Sequence, residues 1–440
     1  MPRGRFLSVL LQMPKMYWQN EKRVVYCGVR YGKRVNSMKI QIQMPSGVRY
    51  IIDKLAARGF EAYAVGGCVR DSLMGKTPND WDITTDAEPA DMLAVFKGHK
   101  VIPTGIKHGT VTILCKGGKF EVTTYRVDGA YTDGRRPAHV TFSKSLEEDL
   151  KRRDFTINAM AYNEEQGLKD FFGGEADLAR RLVRCVGDAR ERFGEDYLRM
   201  LRAYRFAATL GFTLDAAAAD AIREGRECIK GISAERIQSE LAKLLLSGNI
   251  SMTRAFFDVF AGVLLPEALQ GGEEMYARRM DVLGRVDNVL ALRLAAVLFG
   301  GEGAEKAAVP ALKRLKFDNE TIELTAAVVR LSGWEIPAVR REMKRLAAEN
   351  SAAYARHALR FRVAAQADGA EEALDLLEAV LASGEPCGVA DLAVNGKDVM
   401  DTLGVPPGKI IGETLQKLLS LVWDEPEANT RERLLAELKA

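Results

Sequence analysis

The stretch Val65-Gly66-Gly67-Cys68-Val69-Arg70-Asp71, followed shortly by Asn79-Asp80-Trp81-Asp82, decides how the rest of the chain is read. Glu61–Val65 has the short apolar pattern of a strand, Gly66-Gly67 breaks it, and Cys68–Met74 reads as a helix opening directly after. Two glycines between a strand and a helix let backbone N–H groups approach a phosphate at the positive helix end. Arg70 adds a charge-assisted contact. Asp80 and Asp82 alternate on a second expected strand, Trp81–Thr84, so both carboxylates point to one face. Two oxygen ligands so placed suit Mg²⁺ in phosphoryl or nucleotidyl transfer. Alone, the glycine pair is an ordinary turn and the D-x-D an ordinary solvated strand end; together at this spacing they point to a nucleotide site. Gly75-Lys76-Thr77 imitates the end of a P-loop, but the first glycine of such a loop would fall at Arg70.

Further elements follow from the same reading. Gly47–Arg58 has helical spacing, and Val111–Leu114 with Lys119–Tyr125 flank Gly117-Gly118 as a two-residue hairpin. Glu121, between the apolar Phe120 and Val122, is either the third carboxylate of the site or a surface residue of an amphipathic strand. Asp128–Pro137 is polar, glycine-rich and expected to be a loop. The run Lys151-Arg152-Arg153-Asp154 is either a solvated charge cluster or, because it abuts an apolar segment ending in Ala159-Met160-Ala161-Tyr162, directed into a cleft. In the second case Arg153 meets triphosphate or ribose and Asp154 buttresses it.

Beyond Val183 the periodicity is helical, including Glu195–Leu210, Ala216–Glu227 and Ala234–Leu246, with Gly211 as a stop and Ser233 as an N-cap. On a continuous helix Asp196, Arg199 and Arg202 share an arc of about 120°, whereas Arg205 drifts to the far side. Plain i,i+3 ion pairing explains such spacing. A sharper reading is that Asp accepts and Arg donates, which matches the amino group and ring nitrogen on the edges of cytosine and adenine and mismatches uracil and guanine.

Composition sets the limits. The 440 residues are 47% hydrophobic and 28% charged, enough for two to four domains. Residues 1–37 carry eight Lys/Arg against Glu21, a net +7; the chain total is +3, so the remainder is −4. Polyanion binding beyond residue 37 therefore needs local arrays rather than bulk charge. The basic segment 1–37 is expected to be a disordered arm or an upstream stretch, with Met38 as the natural start. No run of 18 apolar residues suggests a membrane span. Six scattered cysteines with no C-x-x-C pair suit a reducing, cytoplasmic setting.

The segments GGCVRD, DWD, EVTTYR, LEEDLKRRDFTINAMAY and EDYLRMLRAYRF resemble, in order, the motifs of class II tRNA nucleotidyltransferases, the bacterial CCA-adding enzymes, which are related to bacterial poly(A) polymerases. The resemblance implies an α+β fold: a polymerase-β-type nucleotidyltransferase head (38–183) with a mixed sheet, then an all-helical neck (184–250), body (251–384) and tail (385–440). It implies metal binding by Asp80 and Asp82, and nucleotide contacts at Gly67, Arg70, Arg153, Asp196, Arg199, Arg202 and Arg205, with Gly66 beside them. Arg205 enters through the resemblance alone. The implied reaction is template-independent addition of CCA to the tRNA 3′ end from CTP and ATP, with Mg²⁺ as cofactor; Glu121, where it is the third carboxylate, orients or deprotonates the attacking hydroxyl, and no membrane partner is expected. A tail with six Lys/Arg and eight Asp/Glu from Leu392 onward differs from the basic extension of the poly(A) polymerases, and the presence of Val127–Pro137 favours addition of the terminal A. A poly(A) or A-adding polymerase is the alternative within the class, and a non-catalytic RNA-binding relative the alternative outside it. Oligomeric state and any division of labour with a partner enzyme stay open.

Overall fold

A computed structural model describes residues 41–115, 117–129, 140–301 and 303–439. The segment 1–37 and most of the expected Asp128–Pro137 loop lie outside the described residues. The chain enters the fold through helix α1 (Ser46–Ala56), which forms because Val48, Ile51, Ile52 and Leu55 recur on one face, all buried. There follow β1 (Ala62–Val65), α2 (Gly67–Leu73), β2 (Asp82–Thr85), α3 (Pro89–Val95), β3 (Lys100–Gly105), β4 (Thr110–Cys115) and β5 (Gly118–Thr124). The β4–β5 hairpin turns one residue earlier than expected, because Gly118 already belongs to β5 and pairs with Cys115; Gly117 and Gly118 take φ of 97° and 144°, a region that other residues enter at a cost. β6 (Arg126–Asp128) pairs with β7 (Val140–Phe142), so Asp128 belongs to a strand rather than to the loop.

Helix α4 (Leu146–Lys151), β8 (Met160–Asn163) and β9 (Gly167–Asp170) complete the head. The seven-stranded sheet has the order β3-β4-β5-β2-β1-β8-β9, with β2 and β5 parallel and the other ladders antiparallel. The mixed sheet with flanking helices is the expected α+β head.

The chain then becomes helical: α5 (Gly174–Arg180), the short β10 (Leu182–Val183), α6 (Ala189–Glu195), α7 (Leu198–Leu210), the short β11 (Thr213–Leu214), α8 (Ala216–Gly225) and α9 (Ala234–Leu245). The single helix expected over Glu195–Leu210 is two helices. Asp196 is extended, at φ −147° and ψ 103°, its carboxylate accepts the Leu198 N–H at 3.1 Å, and its carbonyl accepts the Arg199 N–H at 2.9 Å. A short acidic side chain offering its own acceptor to the backbone is a known competitor of helical continuation. Gly211 ends α7 at φ 71°, as expected, and Ser233 occupies the N-cap of α9 without a capping bond from its hydroxyl. The helix expected to run to Glu227 stops at Gly225 and passes into a 3₁₀ turn.

One apolar core runs from Phe155 and Ile157 through Tyr204, Phe256 and Phe260 to Leu359 and Leu377; a smaller one in the C-terminal helices joins Val394, Val399, Leu415, Leu418 and Val422. Burying Phe155 contributes about 2 kcal/mol, and it fixes the position of the two residues before it. Arg153 and Asp154 emerge where the head sheet meets the helical part.

Candidate active site

Gly66 ends β1 at φ 82°, a left-handed conformation, and its N–H is bonded to the Met160 carbonyl of β8 at 3.1 Å. That amide is therefore unavailable to a phosphate; the donors left at the start of α2 are the amides of its first turn. The conformation requires glycine here, and a Cβ on Gly66 would also crowd Nη1 of Arg153 at 3.0 Å. Arg70, in α2 and buried, donates from Nε to Asp71 at 2.9 Å and from Nη1 to Asn158 at 2.5 Å. Its guanidinium also lies 5.2 Å from the centre of the Phe206 ring.

Asp80 and Asp82 are exposed on either side of the buried Trp81, the alternation that one-sided carboxylates require. Asp82 is the register partner of Glu121 across the parallel β2–β5 ladder, and Glu121 is exposed between the buried Phe120 and Val122. The cleft walls desolvate the Asp82 carboxyl and push its pKa up; Arg153 opposes this, while Glu121 and Asp80 add to it. Three carboxylates thus feel one another around the start of β2. Among the described residues no group of three or more ligating side chains is gathered tightly enough to cage a metal ion. An open pair of carboxylates is nonetheless what a hard cation shared with substrate phosphates uses, so these residues fit a divalent ion brought in with a nucleotide.

A cleft of about 470 Å³ gathers Gly66, Gly67, Arg70, Asp82 and Arg153 from the head with Asp196, Arg199 and Arg202 from α7 and the turn before it. Eight of the eleven residues singled out from the sequence meet there. Asp80 and Glu121 flank it at the sheet, and Arg205 stands behind it, its guanidinium 3.7 Å from the centre of the Phe206 ring and paired with Glu240 at 2.5 Å. The lining holds six arginines against three aspartates, the concentrated positive array that the −4 remainder of the chain demanded.

Asp154 does not buttress Arg153. Its Oδ2 accepts from Nη2 and Nε of Arg202 at 2.6 and 2.9 Å, and its Oδ1 accepts from Asn158 at 3.2 Å. Burial opposes ionisation of Asp154, but the Arg202 charge and these hydrogen bonds hold its pKa down at about 2. Arg153 instead donates to Asp149 at 3.4 Å, and its Nε is buried without a partner among the described residues. Asp196 accepts from Nη2 of Arg236 at 2.6 Å, and Nη1 of Arg236 is likewise buried without a partner. Arg199 donates to Glu195, to the Arg192 carbonyl at 3.0 Å and to the Arg152 carbonyl at 3.1 Å. Arg236, Asn158 and Phe206 are cleft residues that the sequence reading did not single out. The last two lie inside the quoted motifs, while Arg236 sits 40 positions from its partner, with no local pattern to mark it.

The chain matches three family models: the poly A polymerase head domain over residues 62–184, the RNA and SrmB-binding site of polymerase A over 211–254, and tRNA nucleotidyltransferase domain 2 over 292–438. It is 49% identical over 203 residues to the CCA-adding enzyme of Leuconostoc mesenteroides, a match covering 46% of this chain and 50% of that relative. It is 37% identical over 393 residues to the CCA-adding enzyme of Geobacillus thermodenitrificans, covering 88% of this chain and 95% of the relative. The structure of the Bacillus stearothermophilus CCA-adding enzyme in complex with CTP superposes with a TM-score of 0.72 at 32% identity, over 89% of this chain and 95% of that one. With an arginine-lined cleft beside paired carboxylates and likeness along nearly the whole length of such relatives, the chain belongs to the family of CCA-adding tRNA nucleotidyltransferases.

Proposed function

We propose that the protein adds the 3′-terminal CCA to tRNA, taking CTP and ATP into the Arg70–Arg202 cleft and selecting them by side chains rather than by a template. The observation that carries this reading is the meeting, in one cleft, of Asp82 and Arg153 from the head with Asp196, Arg199 and Arg202 from the helical part. In it, Arg70 and Arg153 hold the triphosphate, and Asp196 with Arg199 and Arg202 reads the amino-and-ring-nitrogen edge that cytosine and adenine share. Asp80 and Asp82 hold a divalent ion, Mg²⁺ in this reading, which when bound polarises the phosphate and neutralises developing charge.

The tRNA 3′-oxygen forms a bond to the α-phosphorus while the bond to the pyrophosphate oxygen breaks. Glu121, register partner of Asp82, orients that hydroxyl or takes its proton. Arg205 supports the base readers from behind through Glu240, which also lies 3.7 Å from Arg202. The division into head 38–183, neck 184–250, body 251–384 and tail 385–440 belongs to the same reading, with tRNA lying across the helical parts. No helix among the described residues is long and apolar enough to cross a membrane. A cytoplasmic setting is proposed because Cys68, Cys185, Cys228 and Cys387 stand outside any disulfide.

The test offers a tRNA ending before its CCA, and a generic RNA, with CTP and ATP separately and together. The expected result is CC from CTP alone, CCA from both, and little extension of the generic RNA. Unlimited A addition to either RNA from ATP alone, with CTP ignored, would establish the poly(A) reading instead.

A further inference from the structure

Behind the cleft, Asp149 of α4 is fully buried. Its Oδ1 accepts from Nε and Nη2 of Arg152 at 3.0 and 2.7 Å. Its Oδ2 accepts from Nη2 of Arg153 at 3.4 Å and from the hydroxyl of Thr84 at 3.1 Å. Thr84 lies two residues after Asp82 on β2, so both side chains leave the same face of the sheet. That face is open to the cleft at Asp82 and covered at Thr84, which is fully buried. Thr84 is also the register partner of Thr123, two residues beyond Glu121 on β5, and its hydroxyl reaches the Thr123 carbonyl at 3.3 Å. One buried carboxylate therefore joins the strand pair bearing Asp82 and Glu121 to the arginine that borders Gly66.

A carboxylate removed from water is costly unless paired. Arg152 by itself pairs Asp149, so the second oxygen is the informative one. Arg153 is a long side chain with many rotamers, and it stands where a single added carbon on Gly66 would meet it at 3.0 Å. Its guanidinium is one-fifth exposed where it borders the cleft, so its direction is set by the contacts it makes, and Asp149 is the charged one.

We propose that Asp149 is a positioning residue for nucleotidyl transfer: through Arg153 on one side and Thr84 on the other, it sets the triphosphate-binding guanidinium at a fixed place relative to Asp82. It touches no substrate. The proposal rests on the reading of Arg153 as a triphosphate contact, and Arg153→Ala tests that reading separately.

The experiment measures KM and kcat for CTP and ATP on tRNA lacking CCA, for Arg153→Ala, Asp149→Asn, Thr84→Val and the double variant Asp149→Asn/Arg153→Ala. Thermal melting checks each for folding. Asp149→Asn is expected to raise KM for both nucleotides by the same factor, about tenfold, the loss of one charge-assisted hydrogen bond. Thr84→Val, which keeps the β-branched shape and removes the hydroxyl, is expected to raise it about threefold. The double variant should match Arg153→Ala, because Asp149 acts through that residue. A purely structural role would lower the active fraction, and so kcat, without moving KM. An unchanged KM in Arg153→Ala would overturn the triphosphate reading. A raised KM there, with unchanged KM in folded Asp149→Asn or in Thr84→Val, or with additive effects in the double variant, would overturn the positioning role alone. If Asp149→Asn does not fold, Thr84→Val decides.

Discussion

Asp82 and Glu121 are direct register partners across the parallel β2–β5 ladder, so their carboxylates leave the head sheet side by side on one face. Two acids placed together on a pleated surface repel each other, and the raised pKa of Asp82 records that repulsion after the larger effect of desolvation. Such a pair costs stability unless positive charge offsets it, and Arg153 opposes the rise at Asp82. Asp82→Asn is expected to lower single-turnover CMP addition on the order of 10³-fold. Glu121→Gln should lower it about 10²-fold if the residue handles the hydroxyl proton. Glu121→Gln within twofold of the parent rate would make Glu121 a surface residue.

Asp154 and Arg202 tie the head to α7 through an ion pair whose carboxylate is buried and whose guanidinium borders the cleft. The carboxyl sits at about 2 in the folded protein against an ordinary 3.8. A depressed folded value means the pair's contribution is complete above the ordinary value and is lost as pH falls from there through about 2. The linked change is about 2 kcal/mol. Asp154→Asn should therefore flatten the stability profile between pH 4 and 2, measured by urea denaturation, and destabilise the protein at pH 7 by about 2 kcal/mol, because it removes the buried carboxylate paired with Arg202, which keeps Glu240 within 3.7 Å. An unchanged acid limb would show that other groups govern it.

Arg236 holds Asp196 at 2.6 Å from a different helix, α9. Arg236→Ala should free the Asp196 carboxylate to rotate and raise misincorporation of UMP and GMP roughly tenfold relative to CMP and AMP. Selectivity equal to that of the parent protein would mean that Asp196 is fixed by its own backbone turn.

Much of this site was legible in sequence because its signals are local. Gly66-Gly67 punctuates a strand and a helix, the D-x-D alternates around a buried Trp81, and the hairpin turn at Gly117 sets Glu121 on a strand, although its place beside Asp82 comes from the non-local parallel β2–β5 ladder. The less legible features are of two kinds. The break at Asp196 carries no Gly or Pro; it depends on a carboxylate choosing a backbone N–H over helical continuation, which neighbouring residues do not announce. The partners of the charged groups are set by tertiary packing. Asp154 finds Arg202 48 positions away rather than the adjacent Arg153, and Asp196 finds Arg236 40 positions away. Burial of Phe155 in the helical core turns Asp154 toward α7, and no spacing rule within the RRD run could have shown that.

The claim that protein side chains select the base is tested most directly by Arg199→Ala. A tRNA lacking CCA is incubated with all four nucleoside triphosphates at equal concentration, and the added 3′ nucleotides are sequenced for the parent protein and the variant. The expected result is CCA almost exclusively from the parent and a substantial share of U and G from Arg199→Ala, with addition still detectable. Unchanged CCA fidelity in an active Arg199→Ala protein would contradict selection through this edge.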